Sequence, residues 1–143
     1  MVKILMLLSL VMDAYAKISD CSVNSIFKSI EQRLTPDPPV PGENVTLYLR
    51  FNNPGLPVSD GTETTQTSFN YIPMSPTTKP LCDCISCPIQ NTIIELTSTS
   101  EWPRDLPRGL IITTITWTNA NDEQLLCTKL SITTKDHDYL EGF

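Results

Sequence analysis

Twelve prolines are spread along the 143 residues of the chain, and they limit its secondary structure more than any other feature. Proline has no amide hydrogen and clashes with the preceding helical turn, so long helices are disfavoured. Short segments with alternating apolar residues lie between the prolines and other turn residues, which is typical of all-β proteins. Hydrophobic residues make up 40% and charged residues 18%, as in a globular domain.

The clearest predicted strand covers residues 45–51, where every second side chain is apolar. Residues 26–34 fit a helix or one side of a strand, because Ile26, Ile30 and Leu34 are spaced by four. Further strands are predicted over residues 64–72, 89–96, 110–117 and 125–133. Several short strands separated by proline and glycine turns indicate a two-sheet antiparallel β-sandwich.

The first sixteen residues have the pattern of a secretory signal peptide. Lys3 precedes the apolar run 4–12, and Ala14-Tyr15-Ala16 has the small residues that a signal peptidase needs. The run is too short to span a bilayer as a helix. A buried first strand or helix is the alternative, but the pattern favours a protein of the secretory pathway.

Charge and motif content argue against nucleic-acid binding and catalysis. Ten Lys and Arg against 16 Asp and Glu give a net charge of −6. This charge disfavours binding to nucleic acid and binding to anionic membranes through a polybasic segment. The single histidine, His137, lies in a polar tail over residues 135–143, which excludes multi-histidine metal sites. We therefore predict no catalytic residue. The scattered carboxylates are interpreted as surface charges: Asp60, Glu63, Glu95 and Glu101.

Five cysteines follow the predicted signal peptide, so in an oxidising compartment one should remain unpaired. The segment 82–87 holds three of them, and two interpretations are open. It could be a metal clip with Cys127 as fourth thiolate, or a small disulfide loop with a spare thiol. The loop is favoured, because zinc clusters usually have two separated knuckles. Asn44-Val45-Thr46 is a sequon that makes Asn44 the candidate glycosylation site.

The order of several short motifs resembles the ML lipid-recognition domain family. It is most similar to the Niemann–Pick type C sterol carriers and the phosphatidylglycerol/phosphatidylinositol transfer proteins. The resemblance covers nearly all of residues 17–134. It is carried by Cys21, the segment 36–49, Cys87-Pro88-Ile89-Gln90, Trp102-Pro103, Leu106-Pro107-Arg108-Gly109, Trp117 and Leu125-Leu126-Cys127.

The resemblance implies an immunoglobulin-like sandwich with an apolar cavity between its sheets. It also implies a long-range disulfide from Cys21 to Cys127 and a short one from Cys82 to Cys87, leaving Cys84 free. The additional small disulfide loop of the animal sterol carriers has no counterpart here, because the corresponding segment 36–41 is a proline turn without cysteine.

The resemblance also implies a lipid site. Its entrance candidates are Met74, Trp102, Pro103 and Leu34. Local sequence alone favours Trp102 and Pro103 as a packing plug, and the family resemblance favours the entrance. The predicted cavity walls, which an ordinary core would equally explain, are Val45, Leu47, Leu49, Phe51, Ile111, Ile115 and Trp117.

These implications predict a monomeric, non-enzymatic carrier that holds a sterol or a lipid acyl chain and needs no cofactor or metal. It would contact a membrane or an acceptor protein transiently, in the extracellular space or in a lysosomal or vacuolar lumen. Two alternatives remain. One is a secreted sandwich that recognises a protein or presents lipid to one, without transfer activity. The other is a thiolate metal protein built on the cysteine cluster.

Overall fold

The computed structural model describes residues 15–134, which form two antiparallel sheets packed face to face. The predicted all-β sandwich is confirmed. Most of the predicted signal peptide, and the whole predicted tail with His137, lie outside the described residues. Within them, no helix is long and apolar enough to cross a membrane.

The larger sheet has six strands in the order β1-β9-β8-β4-β5, and β6 also pairs with β4. The strands are β1 (Tyr15–Asp20), β4 (Thr62–Phe69), β5 (Ile72–Pro73), β6 (Thr77–Pro80), β8 (Gly109–Thr118) and β9 (Gln124–Thr134). A short 3₁₀ turn, Leu81–Asp83, follows β6. The segment from β5 to β6 therefore forms one edge of this sheet.

The smaller sheet has three strands in the order β2-β3-β7. They are β2 (Lys28–Thr35), β3 (Asn44–Asn52) and β7 (Ile93–Glu101). β3 pairs along its whole length with β7, whose other side is a free edge.

The structure corrects two predicted strand ranges, resolves one ambiguous segment and adds a strand at the start of the described residues. The predicted strand 64–72 is divided by a turn at Asn70-Tyr71, where both residues have positive φ. The predicted strand 89–96 begins later, at Ile93, because Ile89 is buried in the core and bridges to Val58. The ambiguous segment 26–34 contributes strand β2, and β1 begins inside the predicted signal peptide.

The main core cluster closes one end of the sandwich. Phe51 is fully buried, stacks on Phe27 with ring centroids 5.0 Å apart and meets the edge of Trp117 at 5.5 Å. Such aromatic pairs stabilise a core beyond the area they bury. A second, smaller cluster surrounds Leu34 and Val45, and Leu47 packs against both clusters. The middle of β3 therefore lies between two packed regions.

Candidate functional site: a cavity between the two sheets

A cavity of about 220 Å³ lies between the sheets, beside the middle of β3. It is bordered by β7 of the smaller sheet and by β6 and the 3₁₀ turn of the larger one. Because β7 and β6 each pair on one side only, the cavity lies at the free edges of the two sheets. Its lining residues are Leu47, Leu49, Glu63, Lys79, Asp83, Cys84, Leu96, Thr97, Ser98, Ile115 and Trp117.

The inner wall of the cavity is apolar. Leu49 faces Leu96 across β3 and β7, and Trp117 and Ile115 form the opposite wall from β8. Period-two alternation places these side chains on the inner faces of their sheets. Removing apolar ligand surface from water against such a wall is favourable by about 25 cal/mol per Å².

The wall on the larger sheet carries a row of polar groups. Glu63 on β4 lies directly between Trp117 on β8 and Lys79 on β6 in the strand register. The indole Nε1 of Trp117 donates a hydrogen bond to Glu63 Oε2 at 3.1 Å. Glu63 is half-buried, whereas Lys79 is exposed, and they form no ion pair within 4 Å. A carboxylate therefore faces into the cavity with one oxygen bound to the wall.

Cys84 lines the same wall and is the free cysteine among the described residues. Its thiol donates to the carbonyl of Pro80 at 3.6 Å. Burial, and then the neighbouring Glu63 carboxylate, raise the pKa of the Cys84 thiol to about 11, and Lys79 opposes this only in part. The thiolate is the nucleophile, so this thiol is unreactive at neutral pH.

We expect alkylation of Cys84 by iodoacetamide to be slow at pH 8 and to accelerate about tenfold per pH unit up to the pKa near 11. The reason is that the reactive thiolate fraction rises tenfold with each unit below the pKa. Intact mass spectrometry of the oxidised protein measures this rate, with N-acetylcysteine as the exposed reference thiol. A rate profile that levels off below pH 9 would contradict the assigned environment.

The structure places the predicted entrance residues in two separate regions. Leu34 is buried and Trp102 is half-buried in the second cluster, while Pro103 beside Trp102 is exposed. Backbone hydrogen bonds to Gly42 and Glu43 hold Trp102 in place. Met74 is 58% exposed on the edge segment between β5 and β6. None of the four lines the cavity.

Four of the seven predicted wall residues line the cavity: Leu47, Leu49, Ile115 and Trp117. Phe51 is instead part of the aromatic core, and Val45 belongs to the second cluster. Ile111 lies nearer the start of β8, outside the cavity lining.

The polar wall does not follow from the sequence, in which Glu63 has the pattern of a surface charge and Cys84 that of a spare thiol. One signal was present for Glu63. It has the same period-two phase in β4 as Phe69, so both side chains lie on one face of that strand. The register with Trp117 then makes this the inner face.

The structure contains both disulfides that the resemblance implies, Cys21–Cys127 and Cys82–Cys87. The four sulfurs of a metal clip are therefore not available together. No group of three or more His, Cys, Asp and Glu among residues 15–134 could hold a metal ion. Asn44 is exposed at the start of β3.

Residues 16–134 match the family model of the ML domain. This chain belongs to the ML-domain family. The match covers the whole two-sheet body, from β1 to the end of β9, and confirms the family resemblance of the motifs.

Two curated relatives are similar to this ML-domain chain, and each is named a phosphatidylglycerol/phosphatidylinositol transfer protein. That of Mycosarcoma maydis is 30% identical over 123 residues, covering 80% of this chain and 63% of the relative. That of Schizosaccharomyces pombe is 28% identical over 106 residues, covering 69% and 56% respectively. The chain thus spans less than two thirds of the length of these relatives.

Solved structures show that this ML domain has the immunoglobulin-like sandwich of the family. A Niemann–Pick type C2 protein from Japanese carpenter ant superposes with a TM-score of 0.61 at 16% identity, covering 83% of this chain and 99% of that one. Chicken MD-1, complexed with lipid IVa, superposes with a TM-score of 0.64 at 11% identity, covering 87% and 92%. Identities this low support the fold alone.

Proposed function

We propose that this protein is a non-enzymatic lipid-binding and transfer protein that holds the apolar part of one lipid between its sheets. The observation that carries the proposal is the cavity beside β3, walled by Leu49, Leu96, Ile115 and Trp117. A fully packed sandwich would have no space there, since protein interiors are packed as densely as organic crystals. The names of the two curated relatives agree with lipid transfer.

The size of the cavity favours one acyl chain as the part that is held. Sites for drug-sized ligands usually measure about 300–1,000 Å³, and this cavity of about 220 Å³ is smaller. A sterol would need the walls to separate, whereas a single acyl chain needs less displacement. The polar head of the lipid would lie at the mouth of the cavity, where the polar wall meets the free edges of the sheets.

The remaining parts of the proposal come from the sequence and the family. We propose that the protein enters the secretory pathway, that it acts as a monomer and that Asn44 is its glycosylation site. Met74, Trp102, Pro103 and Leu34 are proposed to guide lipid toward the sheets during transient contact with a membrane or an acceptor. The two disulfides suit an oxidising compartment.

We expect native mass spectrometry of the secreted protein to show one bound lipid per chain. The apolar walls retain the ligand through purification because its dissociation would expose hydrocarbon to water. Lipid extraction followed by tandem mass spectrometry identifies what is bound. The same sample, delipidated and incubated with phospholipid vesicles, should regain one lipid.

A protein that stays bare after incubation with sterols and phospholipids would overturn the proposal. It would favour the alternative of a secreted module that recognises a protein. Transfer is measured separately, as movement of a fluorescent phospholipid between donor and acceptor vesicles. Lipid binding without any transfer would identify a module that presents lipid.

A further inference from the structure

We propose that Glu63 makes the cavity select uncharged, hydroxyl-bearing lipids over anionic phospholipids. This inference rests on the proposed lipid-binding function and names the ligand class of that site. The inner face of a sandwich is ordinarily apolar, so an inward-facing carboxylate needs a reason. Glu63 lies on the cavity wall, in register with Trp117 and Lys79.

The hydrogen bonds of Glu63 leave room for a ligand. Trp117 occupies Oε2, and an ionised carboxylate has further acceptor positions on both oxygens. A hydroxyl of the lipid head can donate to Glu63 and accept from the ammonium of Lys79 on the neighbouring strand. A hydrogen bond to a charged group contributes more than one between neutral groups.

The charges of the lining disfavour an anionic head. Glu63 and Asp83 are negative and Lys79 is positive, so these three side chains of the lining sum to −1. Lys79 and Asp83 are exposed, and solvent and salt screen their charges. Glu63 is half-buried, so its charge acts more strongly on a group inside the cavity. A lipid phosphate placed there would meet like charge.

Two soluble lipids with the same acyl chain separate the effect of head-group charge from that of apolar burial. Monoacylglycerol has an uncharged head with two hydroxyls, whereas lysophosphatidylglycerol adds a glycerol joined through one negatively charged phosphodiester and still offers hydroxyls. Displacement of a fluorescent monoacylglycerol probe, whose head is uncharged, from the full-length protein at pH 7 gives both affinities. We expect monoacylglycerol to bind at least tenfold more tightly.

The variant Glu63→Gln keeps the size of the side chain and the acceptor for Trp117 but removes the charge. We expect it to reduce the preference to about threefold or less, mainly through tighter binding of lysophosphatidylglycerol. Glu63→Asp should retain the preference. Glu95→Gln is the matched control, since Glu95 is exposed outside the cavity lining and lies 3.6 Å from Arg50. The affinity ratio of the two lipids in this variant should equal that of the unchanged protein.

Equal affinities for the two lipids in the unchanged protein would overturn the inference while leaving the proposed function intact. An unchanged ratio in Glu63→Gln would also overturn it. Binding of neither lipid would overturn the proposed function and this inference with it. If Glu63→Gln does not fold, the test rests on the affinity ratio of the two lipids in the unchanged protein and in Glu63→Asp. Equal affinities for the two lipids in these proteins would still contradict the proposed selectivity.

Discussion

Replacing Ser98 by phenylalanine is expected to weaken lipid binding at least a hundredfold while the protein stays folded. Ser98 lies on the inner face of β7, directly opposite Leu47, and lines the cavity. The added ring would take up space that the acyl chain needs in a cavity of about 220 Å³. Excluding about four methylenes at roughly 0.8 kcal/mol each costs about 3 kcal/mol, which accounts for a loss of this size.

The neighbouring residue provides the control. Thr99 lies on the outer face of β7, and its hydroxyl is 2.9 Å from that of Thr46. Thr99→Phe adds a ring of the same size outside the cavity, so we expect lipid binding close to that of the unchanged protein. Titration with the fluorescent monoacylglycerol gives the affinities, and circular dichroism shows that both variants fold. Normal binding by Ser98→Phe would mean that the ligand lies elsewhere.

Removing the Cys21–Cys127 disulfide is expected to destabilise the domain by about 4–5 kcal/mol in the chain-entropy model. These residues are 106 positions apart, so the bond restricts nearly the whole unfolded chain. Urea unfolding of Cys21→Ala/Cys127→Ala measures the loss, in a Cys84→Ser background that prevents disulfide exchange. A loss of this size is a large fraction of the usual stability of about 5–15 kcal/mol.

The short disulfide serves as the comparison for this experiment. Cys82 and Cys87 are only five positions apart, so the same model gives about 2 kcal/mol for their removal. The decisive result is which of the two disulfide removals lowers the free energy of unfolding more. A larger loss from Cys82→Ala/Cys87→Ala would show that local constraint beside the cavity matters more than closure of the chain.

Strands with strong apolar alternation were predictable from the sequence within about two residues. β3, β8 and β9 match their predicted ranges because one face of each strand packs against the core. β7 was predicted poorly, since residues 97–101 are mainly serine and threonine and carry no apolar period. Their extended form comes from hydrogen bonding to β3, and such pairing cannot be seen in a local segment.

The candidate site was predictable only in its apolar part. Leu47, Leu49, Ile115 and Trp117 follow from alternation within single strands. Glu63 required the register of three strands, because threonine on both faces of β4 conceals which face is buried. Its partners come from strands separated along the chain, so their meeting is a property of the tertiary structure.

The prolines of the edge segment from β5 to β6 determine how the sandwich can close. Pro73, Pro76 and Pro80 lie along that edge, where every residue is exposed, and none of them has an amide hydrogen. If this edge formed a continuous hydrogen-bonded ladder with β7, the two sheets would merge into one continuous sheet along this side. The missing donors disfavour that ladder. The sandwich is therefore left unsealed along this seam, and the lipid of the proposed function would pass through it without any strand pairing being broken.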